Sequence, residues 1–263
     1  MKGFLLLLSF MTRLPMPNLK YEEEKLGKSM KFFPLVGIII GFILLVFTLG
    51  ISYLSKNLTV SVLPLTVIVI ILVDIVITGG LHLDGLADTF DGIFSYRSKQ
   101  KMLEIMKDSR IGSNGVLALI LYFLIKFVLL FSIASEYGGE YLMFAVLTYP
   151  VASRLCSVVS CASAPYARAT GMGKMFADNT KLFDVIIAFI LTVAYIFVSL
   201  IDKKIMLINF IIILILIFIS YGFSKLIERK IGGITGDTLG ALVELTSLLY
   251  LFLILYLPSF FLY

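Results

Sequence analysis

Residues 78–116 gather chemistry that the rest of the chain lacks. They hold Asp84, Asp88, Asp91 and Asp108, Glu104, the basic Arg97, Lys99, Lys101, Lys107 and Arg110, and His82, the chain's only histidine. In Leu83-Asp84-Gly85-Leu86-Ala87-Asp88-Thr89-Phe90-Asp91-Gly92 the acids are spaced i, i+4, i+7. On an α-helix these positions fall within roughly 60° of one another. Three carboxylates on one face repel unless a cation sits among them. An oxygen-only ligand set selects a hard cation, and Mg²⁺ is the usual one beside phosphates. The other reading is a solvated helix face. Such a face would interleave basic residues, and none follows Asp84 until Arg97.

Around this core stand further candidates. His82 is a general base, a ligand or an interfacial histidine. Lys107 and Arg110 suit phosphate oxygens, and Asp108 either adds a ligand or orients Arg110. Ser109 and Asn114 flank them as substrate contacts. Gly112-Ser113-Asn114-Gly115 feeds a helix start, which is either an anion site or a plain N-terminus. Gly85 and Gly92 either permit a close approach or mark turns. Asp237 and Glu244 are seven apart, hence on one helix face, with Gly240 and Ala241 between them. Acids inside an apolar helix are costly, so a substrate-binding role is favoured for both. Asp74 is a functional intramembrane acid or an interfacial one. Lys126 and Arg154 either pair with these acids or reach for the interface.

The elements that must position these groups follow from composition. Of the 263 residues 60% are hydrophobic, and mean hydropathy is +1.04. That is a polytopic membrane protein, and long apolar runs in a bilayer mean helices. The fold expected is an all-α bundle of about seven spans: 32–54, 58–78, 116–134, 141–163, 182–201, 205–223 and 236–257. The acidic motif helix lies outside the bilayer, on the cytoplasmic side. The apolar run 4–10 is too short to span and lacks a small-x-small cleavage pattern, so it reads as a retained interfacial segment. Gly37 and Gly41 have the GxxxG spacing of a close helix contact. Pro64 is expected to kink the second span. Turns are expected at 55–57 and 202–204, and loops at 164–181 and 224–235. Cys156 and Cys161 share one helix on different faces, which suits packing and neither a disulfide nor a metal. Residues 1–263 form one domain without an internal repeat.

The net charge of +5 sits in loops between apolar runs, so membrane topology explains it and no nucleic-acid partner is expected. With the N-terminus inside, the outside loops hold only Lys56, Lys203 and Lys204 of the basic residues; nearly all the rest fall in inside loops. This bias puts the acidic stretch, the Arg168 loop and the start of the last helix on the cytoplasmic face of the cell membrane.

Two strings, GGLHLDGLADTFDG (79–92) and MKDSRIGSNGV (106–116), resemble the signature of the cobalamin synthase family, the adenosylcobinamide-GDP ribazoletransferases. Three more pieces agree, in the right order: Phe10-Met11-Thr12-Arg13-Leu14-Pro15, Phe33-Pro34-Leu35-Val36-Gly37 and GGITGDTLGALVEL (232–245). The resemblance implies a membrane enzyme that joins adenosylcobinamide-GDP to α-ribazole, or its 5′-phosphate, and releases GMP with Mg²⁺ as cofactor. It also implies roles. Asp84, Asp88 and Asp91 would bind one or two Mg²⁺ bridging the diphosphate, an aspartate or His82 would take the hydroxyl proton, and Arg110 and Lys107 would hold phosphate oxygens. Partners are then the two substrates and the bilayer, with room for a homo-oligomer. Three rivals remain at this stage. A CDP-alcohol phosphotransferase carries D-G-x-x-A-R, whereas Asp84-Gly85-Leu86-Ala87 here precedes Asp88. A transporter would use the intramembrane charges, and an anchoring protein would not need three acids on one face.

Overall fold

The computed structural model describes residues 2–54, 61–199 and 203–262. Among them run twelve α-helices: α1 (Lys2–Met11), α2 (Glu23–Gly27), α3 (Phe33–Leu54), α4 (Leu63–Thr78), α5 (Leu81–Ile93), α6 (Lys99–Ile105), α7 (Ser113–Tyr137), α8 (Gly139–Ser163), α9 (Met172–Asn179), α10 (Leu182–Ser199), α11 (Lys203–Ile231) and α12 (Gly236–Leu262). No strand forms among the described residues; a lone parallel bridge joins Tyr166 to Ile234. Six helices are long and apolar enough to cross a bilayer, and α4 makes a seventh if the α4–α5 pair is one bent span. The all-α membrane bundle expected from composition is what forms. Helix α1, about 15 Å long, is too short for a hydrocarbon core of about 30 Å. It buries Leu6, Leu7, Leu8 and Met11.

Polarity sorts the spans from the inside out. The least hydropathic span, α8, is the most enclosed, with 83% of its apolar window buried; α10 has only 17% buried. Lipid is as apolar as leucine, so packing favours small and hydroxyl side chains at helix contacts. Helix α8 supplies them with buried Thr148, Ser153, Ser157 and Ser160, and it packs against α3, α7, α10, α11 and α12. Gly37 and Gly41 of α3 sit on it as their spacing implies. A Cβ on Gly37 would lie 2.5 Å from the Pro150 carbonyl oxygen, and one on Gly41 2.7 Å from that of Leu147.

Three expectations need correction. Helix α4 begins at Leu63, so Pro64 occupies its first turn, where the missing N–H costs no bond, and it does not kink the interior. The 224–235 loop is mostly helix, because α11 runs on to Ile231. Ile227 and Ile231, four apart, continue its apolar stripe onto Met102 and Met106, and Gly232-Gly233 ends it. The 164–181 loop contains α9. The turn expected at 55–57, and Asp202 of the turn at 202–204, lie outside the described residues.

At the end of α4 the chain turns through 90° into α5. Gly79 and Gly80 make the turn with φ of 63° and 69°, a left-handed region where a side chain is strained. The segment after α1 braces the turn: the Arg13 amide donates to the Ile77 carbonyl at 2.7 Å.

Of the intramembrane charges, Lys126, Asp74 and Glu244 join one network, while Arg154 donates to the Pro150 carbonyl and the Ser153 hydroxyl of its own helix. Lys126 Nζ on α7 donates to Asp74 Oδ2 on α4 at 2.7 Å and to the Tyr122 hydroxyl at 2.8 Å. Tyr149 on α8 donates to the same Asp74 oxygen at 2.9 Å, and Tyr122 donates to Glu244 on α12. Four spans are thereby tied in register. Replacing Lys126 by Met strands a buried carboxylate and is expected to cost about 3–5 kcal/mol. Adding Asp74→Asn should recover much of that loss, read as unfolding midpoints in detergent. Equal losses in the single and double variants would overturn the pairing.

Candidate active site

Helix α5 carries Asp84, Asp88 and Asp91 on one face, as the spacing requires, and it is pressed between α7 and α12. Close approach explains its glycines. A Cβ on Gly85 would lie 2.7 Å from the Asp237 carbonyl oxygen, and one on Gly240 of α12 would lie 3.1 Å from the His82 backbone. The two backbones cross where only glycine fits, which places the first turn of α12 beside the acids of α5. Gly92 likewise faces Met106. Both glycines lie within the helix, so the reading as turns is set aside.

Asp91 is already engaged. Its Oδ2 accepts the Gly112 N–H at 2.7 Å and its Oδ1 accepts the Gly115 N–H at 2.8 Å. The anion bound at the N-terminus of α7 is therefore the protein's own carboxylate, a favourable place for one. This contact also brings the 106–112 loop to α5. There the Arg110 amide and Nε donate to Asp108 Oδ1, both at 3.0 Å, and a terminal nitrogen donates to Oδ2 at 2.7 Å. Arg110 holds the Asp108 carboxyl down at about 2. The Arg110 side chain remains 87% exposed, and Lys107 and Ser109 are exposed beside it. Asn114 is half-buried in the first turn of α7.

Asp237 opens α12. Thr235 and Thr238 cap this helix reciprocally: the Thr235 amide donates to the Thr238 hydroxyl at 2.8 Å, and the Thr238 amide to the Thr235 hydroxyl at 3.2 Å. Arg168 reaches Asp237 Oδ2 at 2.8 Å from the 164–171 segment. That segment is held to the α11–α12 turn by Ala167 N–H to Ile234 O and Ile234 N–H to Pro165 O, each 2.8 Å.

Asp84, Asp88, Asp91 and Asp237 thus share one neighbourhood, with Arg168 the cation among them. Partial burial, then Asp84, Asp237 and Asp91, push the Asp88 carboxyl up to about 7, and Arg168 only partly opposes them. His82 is buried and tilted against the Phe33 ring. Burial, then Arg154, hold its imidazole down at about 3, and its Nδ1 meets no protein partner. Glu244 lies apart, in the buried network with Tyr122. The shared face of Asp237 and Glu244 therefore serves two different clusters.

Next to the acids is a cavity of about 420 Å³ between α1, α3, α5, α9 and α12. Asp84, His82, Arg168 and Asp237 form its polar part. Arg168, Tyr166 and the cavity's aromatic wall escaped the reading of the sequence. They come from short segments far apart in the chain, and no spacing links them. Among the described residues no three acidic, histidine or cysteine side chains converge tightly enough to enclose one metal ion.

The sequence model described as cobalamin-5-phosphate synthase matches residues 3–255. A curated protein of Fusobacterium nucleatum named adenosylcobinamide-GDP ribazoletransferase is 61% identical, over 99% of each chain. Proteins of the same name from Clostridium acetobutylicum and Clostridium novyi are 40% and 35% identical, over 95% and 97% of this chain and 94% and 97% of theirs. No solved structure matches.

Asp91→Ala should uncouple α5 from α7. Losing two charge-assisted hydrogen bonds, with both amides left without their acceptor, is expected to cost about 3 kcal/mol. The measurement is unfolding in detergent, where unchanged stability would remove the anchoring role.

Proposed function

Since this chain belongs to the cobalamin-5-phosphate synthase family, we propose that it joins adenosylcobinamide-GDP to α-ribazole, or its 5′-phosphate, and releases GMP. The match along nearly the whole chain carries this reading, and the unneutralised carboxylates of α5 support α5 as the place of the chemistry. A hydroxyl of the ribazole ribose attacks the phosphorus on the cobinamide side of the diphosphate. The new P–O bond forms there, the bond to GMP breaks, and the hydroxyl proton passes to an acceptor.

The chain's own residues divide the work. Asp84 and Asp88 are the carboxylates available to hold Mg²⁺, with Asp91 beside them fixing α5. Bound there, Mg²⁺ would neutralise charge on the diphosphate oxygens. The all-oxygen donor set and the raised Asp88 carboxyl both favour a cation at this place. Arg110 and Lys107, exposed next to α5, are suited to phosphate oxygens, and Asp108 holds Arg110 in orientation. Arg168 tempers the negative charge through Asp237. The hydroxyl proton passes to an aspartate of α5 or to His82, whose imidazole burial holds low. The bias of basic residues puts this end of the bundle on the cytoplasmic side of the cell membrane, where nucleotides are.

Purified protein in liposomes, given both substrates and Mg²⁺, should release GMP and form the joined corrinoid, detected by mass, and a chelator should stop it. Absence of product from folded protein would overturn the reading. Asp88→Asn should lower turnover about a hundredfold or more with expression intact. Near-normal turnover would remove Asp88 from the site.

Proton linkage gives a separate check. A cation binds the ionised carboxylate, so Mg²⁺ affinity should rise with pH and level off above the Asp88 value of about 7. Below that value it should fall by up to about tenfold per pH unit. Calorimetry near pH 7 in two buffers of different ionisation enthalpy should register proton release on binding. Affinity that does not change with pH would exclude Asp88 as a ligand.

A further inference from the structure

The 420 Å³ cavity has a second half that the reaction has not yet used. Away from Asp84 and Asp237 its walls are Phe10, Phe33, Phe176, Met30 and Met172. The rings of Phe10 and Phe176 meet edge to face, with centroids 5.7 Å apart. His82 also lines the cavity; it is only 5% exposed, and its Nδ1 has no partner in the protein. Arg168 presents a second buried nitrogen, Nε, equally without partner. Both nitrogens are closed off within the wall, so a ligand here meets its polar partners at the Asp84, Asp237 and Arg168 end. The rest of the wall requires that ligand to be largely apolar and suited to packing on aromatic rings and methionine sulfur.

We propose that this cavity binds the ribazole nucleoside, with its bicyclic azole base among Phe10, Phe33, Phe176 and Met172 and its ribose at the Asp84–Asp237 end. The inference rests on the reaction assigned above and adds where one of its two substrates sits and how it is chosen. At about 420 Å³, within the roughly 300–1,000 Å³ of small-molecule sites, the cavity is too small to enclose a macrocycle with its side chains. The choice is then between the ribazole and the guanosine of the other substrate. A guanine edge carries several hydrogen-bonding groups in fixed positions. The aromatic half of the cavity offers them no matching array, and of the acids at the other end Asp237 is already paired with Arg168 while Asp84 lies at the ribose. An azole base joined to ribose through one nitrogen leaves one ring nitrogen unsatisfied, which asks least of an apolar wall. The same placement carries the attacking ribose hydroxyl to Asp84, on the helix that holds Asp88.

Met172 stands at the mouth, 67% exposed, so changing it does not disturb the core. Met172→Trp narrows the entrance, and Phe10→Leu removes a ring while keeping bulk. Two readouts separate the cavity from the reaction: calorimetric binding of α-ribazole alone, and steady-state kinetics with each substrate varied. Expected for Met172→Trp is a loss of about tenfold or more in α-ribazole affinity and a matching rise in its KM, with the KM for adenosylcobinamide-GDP unchanged. Phe10→Leu should reduce the preference for a benzimidazole riboside over an adenine riboside. A rise in the KM for adenosylcobinamide-GDP, or weaker inhibition by GMP, with the ribazole constants intact would give the cavity to guanosine and overturn the proposal. Ribazole constants unchanged in both variants would overturn it too. Wild-type protein that binds α-ribazole but joins nothing would overturn the reaction and leave the cavity standing. If joining occurs without measurable binding of α-ribazole alone, the KM readout decides.

Discussion

The crossing of α5 over α12 is the contact on which the rest of the site depends. Two helices approach until backbone meets backbone at Gly85 and Gly240, and any Cβ there would force them apart. That approach puts Asp237 beside Asp84 and Asp88, although some 150 residues of chain separate them. It is fixed at the other end by Asp91, whose two oxygens hold the N-terminus of α7. A helix rich in acid cannot rest inside hydrocarbon. Here it is held beside the bundle by steric fit at one end and by a charge on a helix dipole at the other.

The same residue types meet opposite fates in two places. Asp74 and Glu244 are enclosed with Lys126, Tyr122 and Tyr149, and their hydrogen bonds close on one another. Acids so satisfied register four spans and have little left to offer a ligand. Asp84 and Asp88 have no such partners. Only Arg168 answers them, and it is already committed to Asp237. Surplus negative charge therefore collects on this face of α5, and a cation with a phosphate substrate is what would balance it. This difference, rather than the mere presence of acids, separates the site from the scaffold.

Beside the acids the protein keeps a cavity that is half apolar and half charged. Segments that do not span build its wall: α1, α9 and the short stretch carrying Tyr166 and Arg168. They lie together because an even number of crossings, α3, α4, α7 and α8, separates α1 from the others and returns the chain to the same side. The spanning helices thus act as a frame whose ends bring short segments together.

Much of this was legible in the sequence. Hydropathy fixed the all-α bundle and most of its spans, because a bilayer demands long apolar helices and tolerates little else. The i, i+4, i+7 acids read correctly as one helix face, and Gly37 and Gly41 as a close contact, since both are local periodicities. Errors arose where a neighbour overrides local pattern. The charges at 225–230 looked like a loop until Ile227 and Ile231 found Met102 and Met106 across from them. The glycine-rich start of α7 read as either an anion site or a plain helix start, and only the fold shows that Asp91 fills it. Glu244 shared a helix face with Asp237, yet the face is long enough to touch two environments. Arg168 and the aromatic wall gave no signal, because a cavity belongs to no one segment. The sequence by itself determined which stretches cross the membrane, which end carries charge, and which family the chain resembles, all of them properties written in neighbouring residues. Only the tertiary structure decided which acids are neutralised and which are left to act, because that depends on partners brought from distant spans at distances of about 3 Å.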